Sequence, residues 1–120
     1  MGGRILVVDD EPSVRFFERL ALEDRGHEVE EAASGAEALT LAQAPGSDYA
    51  AIVLDFRMPG MTGLEVARAL RDGAVPTPIV LYTAYADPAV AAQAAELGLE
   101  LIDKADVERM VVHVDQLVAA

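Results

Sequence analysis

The sequence predicts an α/β fold in which five parallel strands form one sheet between two layers of helices. Five short apolar runs alternate with five helical patterns along the 120 residues. Uninterrupted apolar runs are typical of strands that are covered on both faces. The connections between the runs suit right-handed crossovers. Together these observations favour a doubly wound (βα)5 sheet with strand order 2-1-3-4-5.

The first strand and helix are predicted from an apolar run and a helix start signal. Residues 5–8 are all apolar, and the run stops at Asp9. Pro12 suits the first position of a helix, which is predicted to reach about residue 25, before Gly26. The stripe of this helix that should face the core is Val14, Phe17 and Ala21, widened by Leu20.

The middle of the chain carries the second and third strands. Residues 27–32 form a weaker strand pattern, because Val29 is their main apolar residue. Ser34 and Glu37 have the spacing of a capping box, which predicts a helix from there to about residue 42. After a turn that contains Pro and Gly, residues 50–54 are predicted to form the third strand.

A loop separates the third strand from the next helix. Residues 57–63 contain one Pro and two Gly, which interrupt any regular pattern. A helix is predicted over residues 64–70, and the fourth strand over residues 78–82.

The last part of the chain carries two further helices around a short strand. Asp87 and Pro88 are residue types preferred at the N-cap and first position of a helix, which Gly98 ends. A fifth strand is predicted over residues 99–102 and a last helix over residues 106–118. The apolar stripe of that helix is Val107, Met110, Val111, Val114, Leu117 and Val118.

The composition excludes several kinds of site. Asp and Glu outnumber Lys and Arg by 21 to 9, which gives a formal charge of −12. This charge repels phosphate backbones and anionic lipids, so we expect no direct binding to nucleic acid or to a membrane surface. The absence of cysteine excludes disulfides, thiolate metal sites and cysteine nucleophiles. His27 and His113 follow no metal-binding spacing.

The sequence carries no targeting or membrane signal. No stretch approaches the roughly 20 apolar residues that span a bilayer. The first apolar run ends at Val8, which makes it too short for a signal-peptide core. We therefore expect a cytoplasmic protein.

Polar residues stand at the carboxyl ends of four predicted strands. In a doubly wound sheet, ligands bind beyond these ends where strand order reverses, which is between strands 1 and 3. Three carboxylates, one hydroxyl and one ammonium are therefore predicted to meet at this edge. They belong to Asp9 and Asp10, Asp55, Thr83 and Lys104, after strands 1, 3, 4 and 5.

This group of side chains favours phosphoryl transfer with a divalent cation. Two like charges 4 Å apart cost about 4 kcal/mol at an effective dielectric near 20, so a proton or a cation must join the acids. Carboxylates without sulfur or imidazole suit Mg²⁺ first and Mn²⁺ second. A nucleophilic carboxylate beside the metal, with Thr83 and Lys104 as donors, fits a phosphoryl group. Lys104 is also the only lysine in the chain.

Four segments resemble the receiver domain of bacterial two-component response regulators. They read ILVVDDE at 5–11, IVLDFRMPGMTG at 52–63, VLYTAY at 80–85 and IDK at 102–104. Their order and spacing match that family over nearly the whole chain. The resemblance implies a flavodoxin-like three-layer sandwich and assigns residues 1–120 to one receiver domain.

The resemblance also implies a role for each residue of the acidic edge. Asp55 would accept a phosphoryl group from the phosphohistidine of a sensor histidine kinase or a phosphotransfer protein. Thr83 and Lys104 would hold the phosphoryl oxygens.

The implied metal site uses the neighbouring oxygens. Asp10 and Asp55 would bind Mg²⁺ directly, Asp9 would bind it through water, and the main-chain carbonyl of Arg57 would be a further ligand.

The sequence departs from the family pattern at two positions and has two bulky residues near the acceptor. Ala105 follows Lys104 where the family usually has Pro, and Leu101 stands where it usually has Tyr or Phe. In the family, the positions of Arg57 and Tyr85 border the phosphate. We expect both side chains to shield it from water and to slow autodephosphorylation.

We expect a phosphorylation switch and not an enzyme with a separate substrate. Its partners would be the kinase and a downstream output domain or protein, and formation of a homodimer on phosphorylation is left open. One alternative is a Mg²⁺-dependent phosphatase with an aspartyl-phosphate intermediate, although Arg57 then replaces the usual general acid. The other is a receiver-like binding module that is never phosphorylated.

Overall fold

Five strands and five helices alternate in the computed structural model, which describes residues 4–119. The strands are Arg4–Val8 (β1), Glu28–Ala32 (β2), Ala51–Leu54 (β3), Ile79–Thr83 (β4) and Glu100–Asp103 (β5). The helices are Pro12–Glu23 (α1), Gly35–Gln43 (α2), Gly63–Asp72 (α3), Pro88–Glu96 (α4) and Val107–Ala119 (α5). Every predicted element is present, with ends close to those predicted.

The strands form one parallel sheet in the order β2-β1-β3-β4-β5. At the carboxyl end of β1, Val8 lies opposite Ala32 on one side and Leu54 on the other. The strand order therefore reverses between β1 and β3. The predicted flavodoxin-like fold, with five parallel strands and order 2-1-3-4-5, is confirmed.

Alternate residues of the inner strands face two separate cores, as the pleat of a strand requires. The α2–α4 core lies between the sheet and helices α2, α3 and α4, and its buried side chains include Leu6, Ile52, Leu70, Leu81 and Val90. The α1/α5 core lies on the opposite face, and its buried side chains include Val7, Leu22, Val53, Val80 and Met110. The sheet is thus covered on both faces.

The predicted apolar stripe of α5 is confirmed. Met110, Val111 and Val114 are buried in the α1/α5 core, and the other three members of the stripe are partly buried at its edge. No helix in the described part of the chain is both long and apolar enough to cross a bilayer.

Helix α1 does not pack as predicted. Phe17 and Leu20 were expected in the core, but they are 56% and 49% exposed. Val14 and Ala21 are only partly buried. The buried side chains of the helix are those of Glu18 and Leu22.

Ion pairs with β2 explain the orientation of α1. Arg15 Nε lies 2.9 Å from Glu31 Oε1, and Arg19 Nη1 lies 2.7 Å from Glu31 Oε2. Arg15 also donates to the main-chain carbonyl of Asp9 at 2.7 Å. These contacts turn Glu18 toward the sheet. The prediction was wrong for Phe17 and Leu20, because hydrophobic periodicity does not include pairing with another element.

Candidate acidic site at the carboxyl end of the sheet

Asp9, Asp10 and Asp55 converge where strand order reverses. The amide of Asp55 donates to the carbonyl of Val8 at 3.1 Å, which fixes the end of β3 beside the end of β1. One carboxylate oxygen of each acid lies within 4.8 Å of the others. Asp9 is buried, Asp55 is 8% exposed and Asp10 is partly exposed. The predicted meeting of these acids is therefore present.

Main-chain amides hold the two buried carboxylates in place. Asp9 Oδ1 accepts from the amide of Glu11 at 2.9 Å. Asp55 Oδ1 accepts from the amide of Phe56 at 2.8 Å. Each acid therefore has one oxygen bound by the backbone, and its second oxygen faces the site.

Lys104 and Thr83 join the acids from β5 and β4. Lys104 Nζ donates to Asp9 Oδ2 at 2.6 Å and lies 3.5 Å from Asp55 Oδ2. Its amide donates to the carbonyl of Thr83 at 3.1 Å, which fixes the two residues side by side. Thr83 is fully buried, and its hydroxyl oxygen accepts from the amide of Tyr85 at 3.1 Å.

The environment shifts the pKa values of two groups in this site. Burial raises the pKa of Asp55, and the negative charge of Asp9 adds to that shift, although Lys104 and Thr83 oppose it. Burial alone would lower the pKa of Lys104, but the carboxylates of Asp9 and Asp55 outweigh this effect and raise it. The acids therefore stabilise a positive charge placed among them.

Arg57 and Tyr85 meet at the rim of the site. The Arg57 guanidinium carbon lies 3.9 Å from the centre of the Tyr85 ring, which is a cation–π contact. Both residues line a cavity of about 510 Å³ together with the three acids and Lys104. The structure thus brings these two bulky side chains to the rim, where the sequence predicted them.

The loop after Asp55 is closed by the start of α3. The amide of Gly63 donates to the carbonyl of Phe56 at 2.7 Å. A Cβ atom at Gly63 would lie 2.2 Å from the carbonyl oxygen of Asp55, so only glycine permits this approach. Thr62 and Glu65 form a complete capping box at this helix start. Thr-x-x-Glu has the same spacing as the pattern at Ser34, so this helix start was not predicted although a sequence signal for it exists.

Glu18 is the residue near the site that sequence reasoning missed. It is 2% exposed, and its Oε2 atom has no hydrogen-bond partner among the described residues. Burial raises its pKa to about 8, with the negative charge of Asp9 as the next cause and Lys104 opposing. No sequence signal marks it, because a glutamate beside arginine in a helix is typical of a solvent-exposed face.

Comparisons with known proteins identify the family. A family model for the response regulator receiver domain matches residues 5–114. The chain belongs to this family. Leu101, which stands at the family's aromatic position, is partly buried against the α2–α4 core of this receiver domain.

A curated relative illustrates the similarity of the receiver domain. The transcriptional regulatory protein TcrA of Mycobacterium tuberculosis is 45% identical over 83 residues, which are 69% of this chain and 32% of TcrA. This chain therefore matches about a third of that relative's length.

Two solved receiver structures cover nearly the whole chain. The NarL receiver domain of Mycobacterium tuberculosis is 34% identical with a TM-score of 0.87, covering 99% of this chain and 98% of that one. TrrA of Thermotoga maritima, solved in complex with Mg²⁺ and BeF, is 32% identical with a TM-score of 0.84. That match covers 98% of this chain and 99% of TrrA. The predicted receiver domain of a two-component response regulator, a phosphoacceptor switch, is thus confirmed at the level of the family.

Proposed function

We propose that this receiver domain, assigned to residues 1–120, accepts a phosphoryl group on Asp55. The donor would be the phosphohistidine of a sensor histidine kinase or a phosphotransfer protein. The convergence of Asp55 with Asp9, Asp10 and Lys104 in one cavity carries the proposal. An attacking carboxylate surrounded by other acids needs cations beside it, and this edge of the sheet offers the Lys104 ammonium and oxygen ligands for a divalent cation.

The transfer itself requires little covalent chemistry from the protein. A carboxylate oxygen of Asp55 forms a bond to phosphorus while the bond from phosphorus to the donor imidazole breaks, and the imidazole nitrogen takes up a proton. Lys104 and Thr83 donate to the phosphoryl oxygens. Both are positioned by the sheet, because their main chains are hydrogen-bonded to each other at the ends of β4 and β5.

The donor set fits Mg²⁺, with Mn²⁺ as the second choice. The cluster offers oxygen atoms only, which is the ligand set that hard dications prefer. Asp10 and Asp55 would bind the ion directly, Asp9 through water, and the carbonyl of Arg57 would complete the protein ligands. When bound, the ion neutralises charge on the acids and on the phosphoryl oxygens. The Mg²⁺ in the TrrA complex supports this assignment.

Phosphorylation of Asp55 would change which surface conformation is favoured, and a partner would bind that surface. The name of TcrA, a transcriptional regulatory protein, supports an output domain or protein that acts on transcription. The net charge of −12 supports a receiver that does not itself contact nucleic acid. Uptake of a phosphoryl group on Asp55 and its loss by autodephosphorylation would be the only reactions of the domain.

Intact-protein mass spectrometry after incubation with acetyl phosphate and Mg²⁺ tests the assignment. We expect the parent to gain one phosphoryl group and Asp55→Asn to gain none. Asp72→Asn is a matched control, because Asp72 is exposed at the far end of α3, and it should behave as the parent.

Treatment of the parent with a phosphoester or with beryllofluoride separates the alternative functions. Repeated hydrolysis of a phosphoester would support the phosphatase. A parent that takes up neither a phosphoryl group nor beryllofluoride would support a binding module that is never phosphorylated. Modification that persists in Asp55→Asn would contradict the acceptor assignment.

The contact between Arg57 and Tyr85 supports a shield over the phosphate. Tyr85→Ala removes the aromatic partner at the rim and opens the cavity to water. We expect the phosphorylated variant to lose its phosphoryl group several-fold faster than the parent, as measured by mass spectrometry over time. Tyr49→Phe, far from the site, is the control, and equal decay in Tyr85→Ala and the parent would exclude shielding.

A further inference from the structure

Lys104 separates two cavities. On one side it lines the acidic cavity of about 510 Å³. On the other side it lines a cavity of about 280 Å³ beneath α1, which we call the α1 cavity. Among the described residues, Lys104 is the only one that lines both. The walls of the α1 cavity are Ser13, Val14, Phe17, Glu18, Tyr82 and Lys104.

Glu18 brings an unused acceptor to the α1 cavity. Its Oε2 atom is buried without a hydrogen-bond partner among the described residues. Burial of a carboxyl oxygen of this kind is unfavourable unless something binds it. The ionisable groups that interact with Glu18 are Tyr82 on β4 and the three residues that directly follow β1, β3 and β5, namely Asp9, Asp55 and Lys104. Lys104 is the only cation among them.

The ammonium of Lys104 and a bound Mg²⁺ would lie among the same carboxylates. Lys104 occupies Asp9 Oδ2 at 2.6 Å and lies 3.5 Å from Asp55 Oδ2. Two cations among the same carboxylates repel each other, so a bound Mg²⁺ would favour movement of the ammonium away from the acids. Lysine has a flexible four-carbon stem, which allows its charged end to change partners while its main chain stays fixed.

We propose that Glu18 is a positioning residue for Lys104, and that its carboxyl receives the ammonium when Mg²⁺ is bound at the acidic site. Glu18 then removes a competing cation from the metal site. Lys104 stays close by, ready to donate to phosphoryl oxygens once they are present. The part of this inference that involves Mg²⁺ rests on the proposed function.

The charge of Glu18 makes the proposal measurable without metal. Its pKa of about 8 means that it is mainly protonated at neutral pH and becomes a carboxylate above pH 8. Only the carboxylate attracts an ammonium strongly. Raising the pH past about 8 should therefore draw Lys104 toward the α1 cavity in the absence of Mg²⁺.

Nuclear magnetic resonance of protein labelled in lysine tests the first part directly. Lys104 is the only lysine, so its ε-methylene gives a single signal. We expect its contacts to the ring of Phe17 to strengthen when the pH passes about 8 and when Mg²⁺ is added. Glu18→Gln, which imitates the protonated acid, should show neither change. Glu23→Gln, an exposed neighbour on α1, should respond as the parent does.

A parent signal that responds to neither treatment would overturn the proposal, as would a Glu18→Gln signal that follows the parent. A response to pH in a parent that binds no Mg²⁺ would leave the positioning role standing and would contradict the metal site of the proposed function.

Calorimetric titration with Mg²⁺ tests whether Glu18 acts through Lys104. Above pH 8, we expect Glu18→Gln to weaken Mg²⁺ binding several-fold. When Lys104→Met is added to both the parent and Glu18→Gln, the two should bind Mg²⁺ equally, because the competing ammonium is then gone. An equal loss with and without Lys104 would show a direct effect of charge on the metal and would overturn the positioning role.

Discussion

The two faces of the sheet are packed very differently near the site. On the α2–α4 face, a Cβ atom at Gly35 would lie 2.7 Å from Val66 Cγ2, and one at Gly63 would lie 2.2 Å from the Asp55 carbonyl oxygen. On the α1/α5 face, a cavity of about 280 Å³ remains, and the buried Glu18 lines it.

This difference suits two different tasks. The tightly packed face fixes the loop after Asp55, so the proposed phosphoryl acceptor has one position. On the α1/α5 face, the α1 cavity leaves room beside Lys104 for the proposed change of partners. Packed interiors resist continuous deformation, and a side chain moves only where space and a second acceptor exist.

Leu70→Ala should give the largest effect, because it removes a fully buried side chain from the tightly packed face. We expect a loss of about 2–5 kcal/mol in the free energy of unfolding. The comparison on the other face is Leu20→Ala, which removes a half-exposed side chain from α1 and should cost less than about 1 kcal/mol. Denaturant unfolding measures both, and equal losses would contradict the exposed position of Leu20.

Gly63→Ala should cause the second-largest loss of stability. In most helices this change is favourable, but here the new methyl group would collide with the main chain of Asp55. We expect a loss of about 1–3 kcal/mol, together with slower phosphorylation because the acceptor loop moves. Gly73→Ala is the control, since its nearest neighbour is the flexible end of Gln43 at 3.2 Å. Stability and phosphorylation that match this control would show that the loop tolerates the displacement.

Glu18→Leu should stabilise the protein by about 1–3 kcal/mol at neutral pH, because it replaces a buried unpaired carboxyl with an apolar side chain.

Glu18 also makes the stability of the parent depend on pH in a definite direction. The pKa of Glu18 is about 8 in the folded state, whereas the ordinary value for a glutamate side chain is 4.5. Between these values the folded state holds a proton that the unfolded state has lost, so stability falls as the pH rises.

The fall in stability with rising pH that Glu18 causes should be absent in Glu18→Leu. Unfolding curves of the parent and the variant across this pH window measure it. Parallel pH profiles would show that Glu18 has an ordinary pKa in the folded protein.

Phe16→Ser should have the smallest effect, within about 0.5 kcal/mol. Phe16 is more than half exposed on the outer side of α1 and contributes little to either core. A thermal unfolding measurement that shows a large loss would mean that the outer side of α1 is covered in solution.

The sequence by itself determined the fold and the place of the site. Residues 5–8 and 50–54 read as buried strands because apolar side chains run without interruption. Once those strands are parallel neighbours, their ends coincide, and Asp9 and Asp55 must meet. Local signals of this kind depend only on residues close together in the chain, which is why they could be read directly.

Only the tertiary structure decided the orientation of α1 and the contacts inside the site. Glu18 faces the core because Arg15 and Arg19 pair with Glu31 on β2, and no periodicity within the helix contains that information. The hydrogen bond from Lys104 to Asp9 joins residues 95 positions apart. Such contacts arise when separate elements pack together, so their geometry follows from the assembled fold and not from local sequence pattern.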